Sequence, residues 1–326
     1  MRFARRRTLF ALAGLTPALA TPALAQADWP TRPIRMVIPY PPGGASDIIA
    51  RLLAPHMTEL LGQVWVVENR PGANGFIAAE HVARSAPDGY TLLMGNAGPN
   101  GTGPALYGSR TPYDAIRDFS AIMAVSVVPL VMAVHPAVPV RSFPEFIAHA
   151  REIRGRLSYG TAGVGSAGHM GIELLKSLTD IEMTHVPYRG SSPLTSDLIA
   201  GTVPLSCDTA PVLLPHAQAG RVRTIAVTAA QRIPEAPELA TVSETVPGFE
   251  TVSWGGVMGP AGLPPPIVAR LNTALNTAMA RPQVGEALQR QGIQPQRGTP
   301  EAFATYVAAE VRKWTGVVQQ MGLRPE

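Results

Sequence analysis

The sequence predicts an α/β fold with two lobes, each built on a mostly parallel sheet flanked by helices. Short apolar strands alternate with helices along most of the chain, and this alternation is typical of parallel sheets. The order strand, glycine-rich loop, helix and strand occurs twice, and each copy ends in an arginine-containing turn, at 69–72 and at 188–191. Two long apolar stretches, 121–134 and 251–258, are typical of strands that cross between two lobes. We therefore expect a ligand cleft between the lobes.

The predicted domain boundaries follow from these crossovers. Residues 26–127 and 248–326 are predicted to form lobe 1, and residues 128–247 are predicted to form lobe 2. In this arrangement the C-terminal helices return to pack on lobe 1.

Lobe 1 begins with a strand that runs into a tight loop. Residues 34–40 have the pattern of a buried strand, and the prolines and glycines at 41–44 indicate a tight turn. Apolar residues then recur at helical spacing from Ile48 until Gly62, and Pro55 is predicted to kink this helix. The other elements predicted here are strands at 64–67 and 90–94 and a helix at 76–84.

The middle of the chain repeats this scheme, and the C-terminal part is helical. Ser142 is a predicted N-cap, and Thr299 followed by Pro300 marks the start of the last helix. Strands are predicted at 157–159, 183–186, 203–207 and 222–227, and helices at 143–154, 169–178, 194–200, 211–219, 264–279, 283–291 and 300–321.

Residues 1–25 have the features of an export signal. Four arginines stand within residues 2–7, residues 9–19 are apolar but too few to span a bilayer, and Ala-Leu-Ala at 23–25 suits a signal peptidase. The run Arg-Arg-Thr-Leu-Phe at 6–10 fits a twin-arginine signal as well as an ordinary secretory one. We expect the signal peptide to be removed on export to the periplasm.

Composition excludes several classes of protein. The chain has 27 Lys and Arg against 23 Asp and Glu, and because the leader holds four of the arginines and no acid, the mature chain is neutral. No basic cluster remains that would favour a nucleic acid partner. Cys207 is the only cysteine, so no intrachain disulfide forms. No later apolar run is long enough for a bilayer, and we expect a monomer that is not membrane-embedded.

Two glycine-rich loops, at 40–47 and 160–169, each lie between a strand and a helix. Such a loop directs backbone N–H groups and the positive end of the helix dipole towards whatever binds there. In sheets of this kind ligands bind at the carboxyl ends of the strands. The matched pair, one loop in each lobe, therefore predicts a site for a carboxylate that needs no arginine.

The second loop also matches a dinucleotide fingerprint, from Gly163 to Gly168. The following strand ends in Val-Pro-Tyr-Arg at 186–189, without the acid that would bind an NAD ribose, although Arg189 suits a 2′-phosphate. No catalytic partner accompanies the loop. An NADP-dependent oxidoreductase is therefore the alternative function, and the carboxylate site is favoured over it.

The sequence offers little support for catalysis or metal binding. Ser166 is out of frame for a nucleophile elbow, and Ser166 with His169 fits the N-cap and first turn of a helix better than a nucleophile and its base. The seven histidines are scattered, without the spacing of metal ligands. We expect neither catalytic residues nor a metal or other cofactor.

Specific short segments recur in order along nearly the whole mature chain and together resemble the Bug (TctC-like) receptors of tripartite tricarboxylate transporters. The first is Arg32-Pro33-Ile34-Arg35, followed by Pro39-Tyr40-Pro41-Pro42-Gly43-Gly44 with Asp47, and the later ones are 67–73, 87–93, 185–191, 223–228, 259–262 and 313–314.

The resemblance implies a bilobed, periplasmic-binding-protein-like receptor that closes on a small organic acid. Such a receptor is not an enzyme and delivers its ligand to a transporter with one large and one small membrane subunit. A sensor for a membrane kinase would share the fold. In such receptors the loops matching 40–47 and 161–166 hold a carboxylate through backbone N–H groups. Here 96–107 and Cys207-Asp208-Thr209 depart from the family pattern and are expected to line the far end of the pocket.

The candidate ligand-binding residues come from these loops and from the turns beside them. They are Tyr40, Gly43, Gly44, Ala45, Ser46, Asp47, Thr161, Ala162, Gly163, Gly165, Ser166, His169, Tyr188, Asp208 and Thr209.

Overall fold

The computed structural model describes residues 29–324, so the predicted signal peptide lies outside the described residues. The strands are β1 (Ile34–Ile38), β2 (Trp65–Asn69), β3 (Thr91–Asn96), β4 (Phe119–Val134), β5 (Leu157–Thr161), β6 (Met183–Pro187), β7 (Leu205–Thr209), β8 (Arg223–Val227), β9 (Val252–Pro260) and β10 (Gln294–Pro295). The helices are α1 (Ala45–Leu61), α2 (Phe76–Ala83), α3 (Gly103–Tyr107), α4 (Phe143–Ile153), α5 (Ala167–Thr179), α6 (Ser191–Ala200), α7 (Ala210–Gln218), α8 (Pro265–Met279), α9 (Pro282–Gln289) and α10 (Pro300–Met321).

The fold class is confirmed, with strands that run mostly parallel and helices that flank them. In the first sheet the order is β2-β1-β3-β9-β4, with β10 also on β4, and β9 and β10 run opposite to the other four strands. In the second sheet β5 lies between β6 and β7, β4 lies between β7 and β8, and β4 alone runs opposite to the others.

The apolar stretches at 121–134 and 251–258 form the strands β4 and β9, and β4 belongs to both sheets. Residues 119–129 of β4 pair with β9 in the first sheet, and residues 130–134 pair with β7 and β8 in the second. The two sheets are therefore joined in one hydrogen-bonded path through β4. The boundaries at 127/128 and 247/248 stay predictions, since β4 belongs to both sheets.

The C-terminal helices pack on elements of the first sheet. Helix α8 contacts α1 and β4, and α10 contacts β4, α3 and the turn that precedes α3. The apolar core that joins α1, β1 and α8 includes Ile49, Leu53, Met36 and Leu275, all nearly inaccessible to solvent.

Helix α1 runs without a break through Pro55 and ends where predicted. Gly62 adopts a left-handed conformation, with φ of 71°, and its N–H donates to the Thr58 carbonyl at 3.0 Å. Helices α1 and α6 each begin three residues earlier than the sequence predicts, at Ala45 and Ser191. Their first turns carry small or polar residues, so the apolar periodicity becomes visible only one turn later.

The glycine-rich segment 96–107 is buried and helical. Residues 98–102 form a π-helical turn that continues into α3. The Thr102 hydroxyl donates to the Gly165 carbonyl at 2.6 Å, so this segment contacts the loop of the second sheet. The departure from the family pattern at 96–107 therefore lies where the two halves meet.

Candidate functional site

A cavity lies between the two halves of the molecule, at the ends of the strands. About 550 Å³ of space free of protein atoms lies here, part of it open solvent at the mouth, and about 50 Å³ of this space admits the centre of a water-sized molecule. The residues that line it are Tyr40, Pro41, Gly44, Ala45, Ser46, Asn96, Leu130, Ala162, Ser166, Ala167, Gly168, Ser191, Ser192, Cys207, Asp208, Thr209 and Ser253.

Four helices direct their N-termini at this cavity. The lining includes the first residues of α1, α5 and α6, together with Thr209, the N-cap of α7. Side-chain oxygens cap none of α1, α6 and α7 in the described chain. The N–H groups of a first helical turn have no partner within the helix, and the helix dipole adds positive potential there. The wall of the cavity is therefore suited to an anion, and it contains no Lys, Arg or His among the described residues.

The first loop is held in place by Asp47, which lies behind the cavity wall. Its carboxylate accepts from the Gly43 N–H, from Arg51 Nε and from Asn69 Nδ2, each at 3.0 Å. Asn69 also donates to the Tyr40 carbonyl at 3.0 Å. Burial opposes ionisation of Asp47, but the hydrogen bonds from Arg51, Gly43 and Asn69 outweigh it and lower its pKa. Asp47 is therefore an ionised residue that positions the loop.

The second loop is held by the start of α5. The Ser166 hydroxyl accepts from the His169 N–H at 3.3 Å, and His169 Nδ1 accepts from the Gly165 N–H at 3.1 Å. Burial, and then the neighbouring His185, lowers the pKa of His169 to about 3, so the ring is neutral. Nδ1 of His169 accepts from the loop backbone, so the side chain caps the loop and does not act as a catalytic base.

Gly168 permits α5 to approach β7 closely. A Cβ atom at this position would lie 2.2 Å from the Cys207 carbonyl oxygen, which is much closer than atoms can approach. Any larger residue would therefore move the N-terminus of α5 away from the cavity.

A polar cluster forms the floor of the cavity on the side of the first sheet. Asn96 Nδ2 donates to the Ser46 hydroxyl at 3.2 Å and to the Ser253 hydroxyl at 3.4 Å. Asn96 ends β3 and belongs to the segment 96–107, which was expected to line the pocket, although it was not singled out as a site residue. Ser253 lies in the apolar strand β9, and nothing in the sequence indicated it.

Tyr40 separates the cavity from a wider groove of about 1440 Å³. Its hydroxyl donates to Asn74 Oδ1 at 3.2 Å, and burial raises its pKa, so the phenol stays neutral. Tyr188 lines the groove, where its hydroxyl donates to Asp197 Oδ2 at 2.8 Å. Burial, and then this carboxylate, raises the pKa of Tyr188 to about 12.

Asp208 differs from the other polar residues of the wall. It is the fourth residue of β7 and is 5% exposed. Its Oδ1 accepts from the Thr209 N–H at 2.6 Å, but no donor among residues 29–324 meets hydrogen-bond geometry at Oδ2. Burial raises its pKa, against the smaller opposing effects of the Ser191 hydroxyl and Thr209.

The structure brings together about half of the predicted site residues. Those that line the cavity are Tyr40, Gly44, Ala45, Ser46, Ala162, Ser166, Asp208 and Thr209. Gly163 and Tyr188 line the wider groove instead, and Gly43 lines a surface groove beside α6. The remaining four, Asp47, Thr161, Gly165 and His169, are outside the cavity lining. The first turn of α6 was missed, because its start was predicted three residues too late.

Two further classes of feature are absent from residues 29–324. No group of three or more His, Cys, Asp or Glu side chains is arranged to bind a metal ion. None of the helices in this range combines the length and the apolar character needed to cross a bilayer.

The model of the family described as "Tripartite tricarboxylate transporter family receptor" (TctC) matches residues 49–323. A "UPF0065 protein in tcbD-tcbE intergenic region" from Pseudomonas sp. (strain P51) is 38% identical over 324 residues, covering 98% of this chain and 95% of the relative. The protein BugT of Bordetella pertussis is 35% identical over 311 residues, covering 95% of each chain.

Solved structures extend the similarity to the fold. R. palustris Rpa4515 with adipate has a TM-score of 0.88 and 38% identity, covering 92% of this chain and all of its own. MatC (Rpa3494) from Rhodopseudomonas palustris with bound malate has a TM-score of 0.84 and 32% identity, with 89% and 100% covered. The periplasmic binding protein BugD has a TM-score of 0.86 and 32% identity, with 91% and 99% covered.

Proposed function

Since this chain belongs to the tripartite tricarboxylate transporter receptor family, TctC, we propose that it binds a small dicarboxylate in the periplasm and delivers it to the membrane subunits of such a transporter. The family is one of periplasmic solute-binding receptors, and the resemblance drawn from the sequence is thereby confirmed. The transporter partnership, the removal of residues 1–25 on export and the monomeric state belong to this proposal.

One observation carries the choice of ligand. Four helix N-termini from both halves of the molecule meet in one cavity whose described wall contains no cationic side chain. Backbone N–H groups donate to a carboxylate in charge-assisted hydrogen bonds, each worth about 1.5–3 kcal/mol net. The similar proteins Rpa4515 and MatC, described with adipate and malate, support a dicarboxylate.

A thermal-shift screen of the purified mature protein tests the proposal. Adipate and malate are compared with adipamide, which keeps the length of adipate without its charge, and with NADP. At about 100-fold above its dissociation constant, a bound ligand stabilises the fold by about 2.7 kcal/mol. We expect a dicarboxylate to raise the melting temperature and the diamide to leave it unchanged. Stabilisation by NADP and by none of the acids would instead favour the oxidoreductase.

The variant Ala45→Asp locates the site. Ala45 is the first residue of α1 and lines the cavity, so a carboxylate there occupies or repels the position of the ligand. We expect the ligand-induced shift to disappear while the unliganded melting temperature stays similar. Ala302→Asp makes the same change in the first turn of α10, at an exposed position, and should keep the full shift. If Ala45→Asp bound the acid as tightly as wild type, the carboxylate would lie elsewhere.

Delivery to a transporter requires a separate test in cells. Deletion of the gene should abolish uptake of the radiolabelled ligand, and the wild type should restore it where Ala45→Asp does not. Normal uptake in the deletion strain would instead support a sensing role.

A further inference from the structure

Asp208 is a buried acid in the wall of a cavity built for an anion. One of its oxygens accepts from the Thr209 N–H, and the other, Oδ2, accepts no hydrogen bond of good geometry from residues 29–324, although the hydroxyls of Ser191 and Thr209 lie close enough to favour its ionised form. A buried carboxylate oxygen without a well-placed donor is costly, so a donor that entered the cavity would stabilise it. Because Asp208 lines the cavity, the missing partner of Oδ2 is expected to be a group of the ligand.

No neighbouring charge compensates Asp208. Cys207 precedes it on the same strand, and Tyr40 comes from the first loop. Burial, and then Asp208 itself, raises the pKa values of both groups, so both are neutral. The starts of α6 and α7 contribute the hydroxyls of Ser191 and Thr209. Strand β4 places the apolar Val131 opposite.

His169, in the first turn of α5, is also neutral, because burial and then the neighbouring His185 lower its pKa to about 3. No charged side chain therefore faces Asp208 from any of these elements, and its own charge meets only dipoles.

When a ligand carboxylate binds in the same cavity, it and Asp208 cannot both stay ionised at close range without strong repulsion. Two like charges about 4 Å apart repel each other strongly where the effective dielectric constant is well below that of water. Neighbouring carboxyl groups resolve this repulsion by holding one proton between them, so that one acid is neutral. A neutral carboxyl group also supplies an O–H donor, which an ionised one lacks.

We propose that Asp208 is protonated when a carboxylate is bound and that it donates a hydrogen bond from Oδ2 to that carboxylate. When Asp208 is ionised in the free receptor, the proton comes from solvent, so binding takes up a proton and weakens as the pH rises. The inference rests on the proposed function, since it requires a carboxylate ligand.

The test is calorimetric titration of the mature protein with adipate, or with malate if malate gives the larger thermal shift, between pH 6.5 and 8.5. In this range the ligand carboxyl groups stay ionised, since their ordinary pKa lies near 4. Titrations in two non-phosphate buffers with different ionisation enthalpies give the number of protons taken up. We expect an uptake of up to one proton and a dissociation constant that rises with pH, approaching tenfold per pH unit where Asp208 titrates.

The variant Asp208→Asn removes the titrating group while keeping the size of the side chain, so the pH dependence and the proton uptake should both disappear. Asp180→Asn is the matched control, because Asp180 is exposed in a left-handed position that asparagine tolerates, and it should retain both. A pH dependence that persists in Asp208→Asn would overturn the inference.

Failure of the inference is distinguishable from failure of the proposed function. A wild type that binds the dicarboxylate with an affinity that is flat or rises with pH contradicts the role of Asp208 and leaves the receptor function intact. A wild type that binds no carboxylate contradicts the function itself. If Asp208→Asn fails to fold, the proton uptake of the wild type alone decides.

Discussion

Asp47 and Asp208 are equally buried, at 4% and 5% exposure, yet their pKa values move in opposite directions. Burial by itself acts to raise the pKa of each acid, and the hydrogen bonds that each acid receives act against it. Asp47 receives donors from Arg51, the Gly43 N–H and Asn69. Asp208 receives the Thr209 N–H at one oxygen, and its other oxygen accepts no hydrogen bond of good geometry from the described residues, although the Ser191 and Thr209 hydroxyls lie near. At Asp47 the hydrogen bonds, one of them from the charged Arg51, outweigh burial, whereas at Asp208 burial outweighs the hydrogen bonds from Ser191 and Thr209.

The difference also separates two roles around one cavity. Both carboxylate oxygens of Asp47 accept hydrogen bonds that hold the first loop behind the wall. One oxygen of Asp208 accepts from the Thr209 N–H, and its other oxygen is available to a ligand in the cavity. Replacing each acid by its isosteric amide therefore has opposite expected effects on stability.

The largest effect is expected for Asp47→Asn, which turns one acceptor oxygen into a donor that faces other donors. Leaving buried N–H groups unpaired and weakening the contact with Arg51 should lower the free energy of unfolding by about 3 kcal/mol. Urea unfolding at pH 7 measures this change. Asp180→Asn should alter stability by no more than about 0.5 kcal/mol.

The same acid also predicts a dependence on pH. The folded pKa of Asp47 lies below its unfolded value, so its stabilisation is present above the unfolded pKa and is lost as the pH falls through the folded one. The acid sensitivity of unfolding should therefore be smaller in Asp47→Asn than in the wild type. Equal sensitivity in the two proteins would show that Asp47 is not the ionised anchor of the loop.

The next effect is an increase in stability for Asp208→Asn without ligand. The folded pKa of Asp208 is raised, so above the ordinary value near 4 the folded state binds more protons than the unfolded state, and stability falls as the pH rises. Removing the acid removes this loss, which is worth about 1.4 kcal/mol for each unit of pKa difference. Urea unfolding at pH 5 and pH 8 measures it. A variant that was less stable than the wild type at pH 8 would contradict the assignment.

The smallest effect is expected for Ser166→Ala, at the start of α5. The loss of the cap should cost about 1 kcal/mol of stability, and dicarboxylate binding should weaken by about fivefold, as one hydrogen bond is lost. Ser142→Ala removes the corresponding cap of α4, whose hydroxyl accepts from the Glu145 N–H, and should cost similar stability without affecting binding. Calorimetric titration separates the two. Hydrolase activity that vanished with Ser166→Ala would contradict the receptor function.

The sequence predicted the fold and the two loops well, because periodicity and glycine-rich turns report local structure. Ser166 as an N-cap and Gly62 as a helix end are of this kind, and both are confirmed. Ser253 was missed, and Asn96 was expected only as part of the segment 96–107, because the two meet only through the pairing of β3 with β9. Asp47 lies in the predicted loop but outside the cavity lining, since a loop composition does not tell which side of the wall a side chain occupies.

Strand β9 pairs with β3 and β4, which lie more than 100 residues earlier in the chain, and this long separation has a consequence for folding. Leu93 of β3 pairs with Met258 of β9, and β4 pairs with β9 along most of its length. The first sheet therefore cannot be completed until the ribosome has passed residue 260, by which time all strands of the second sheet have been made. Closing contacts of such long sequence separation slows folding. Until β9 has been made, the edge of β3 that pairs with it stays open, so the second sheet can form before the first is complete.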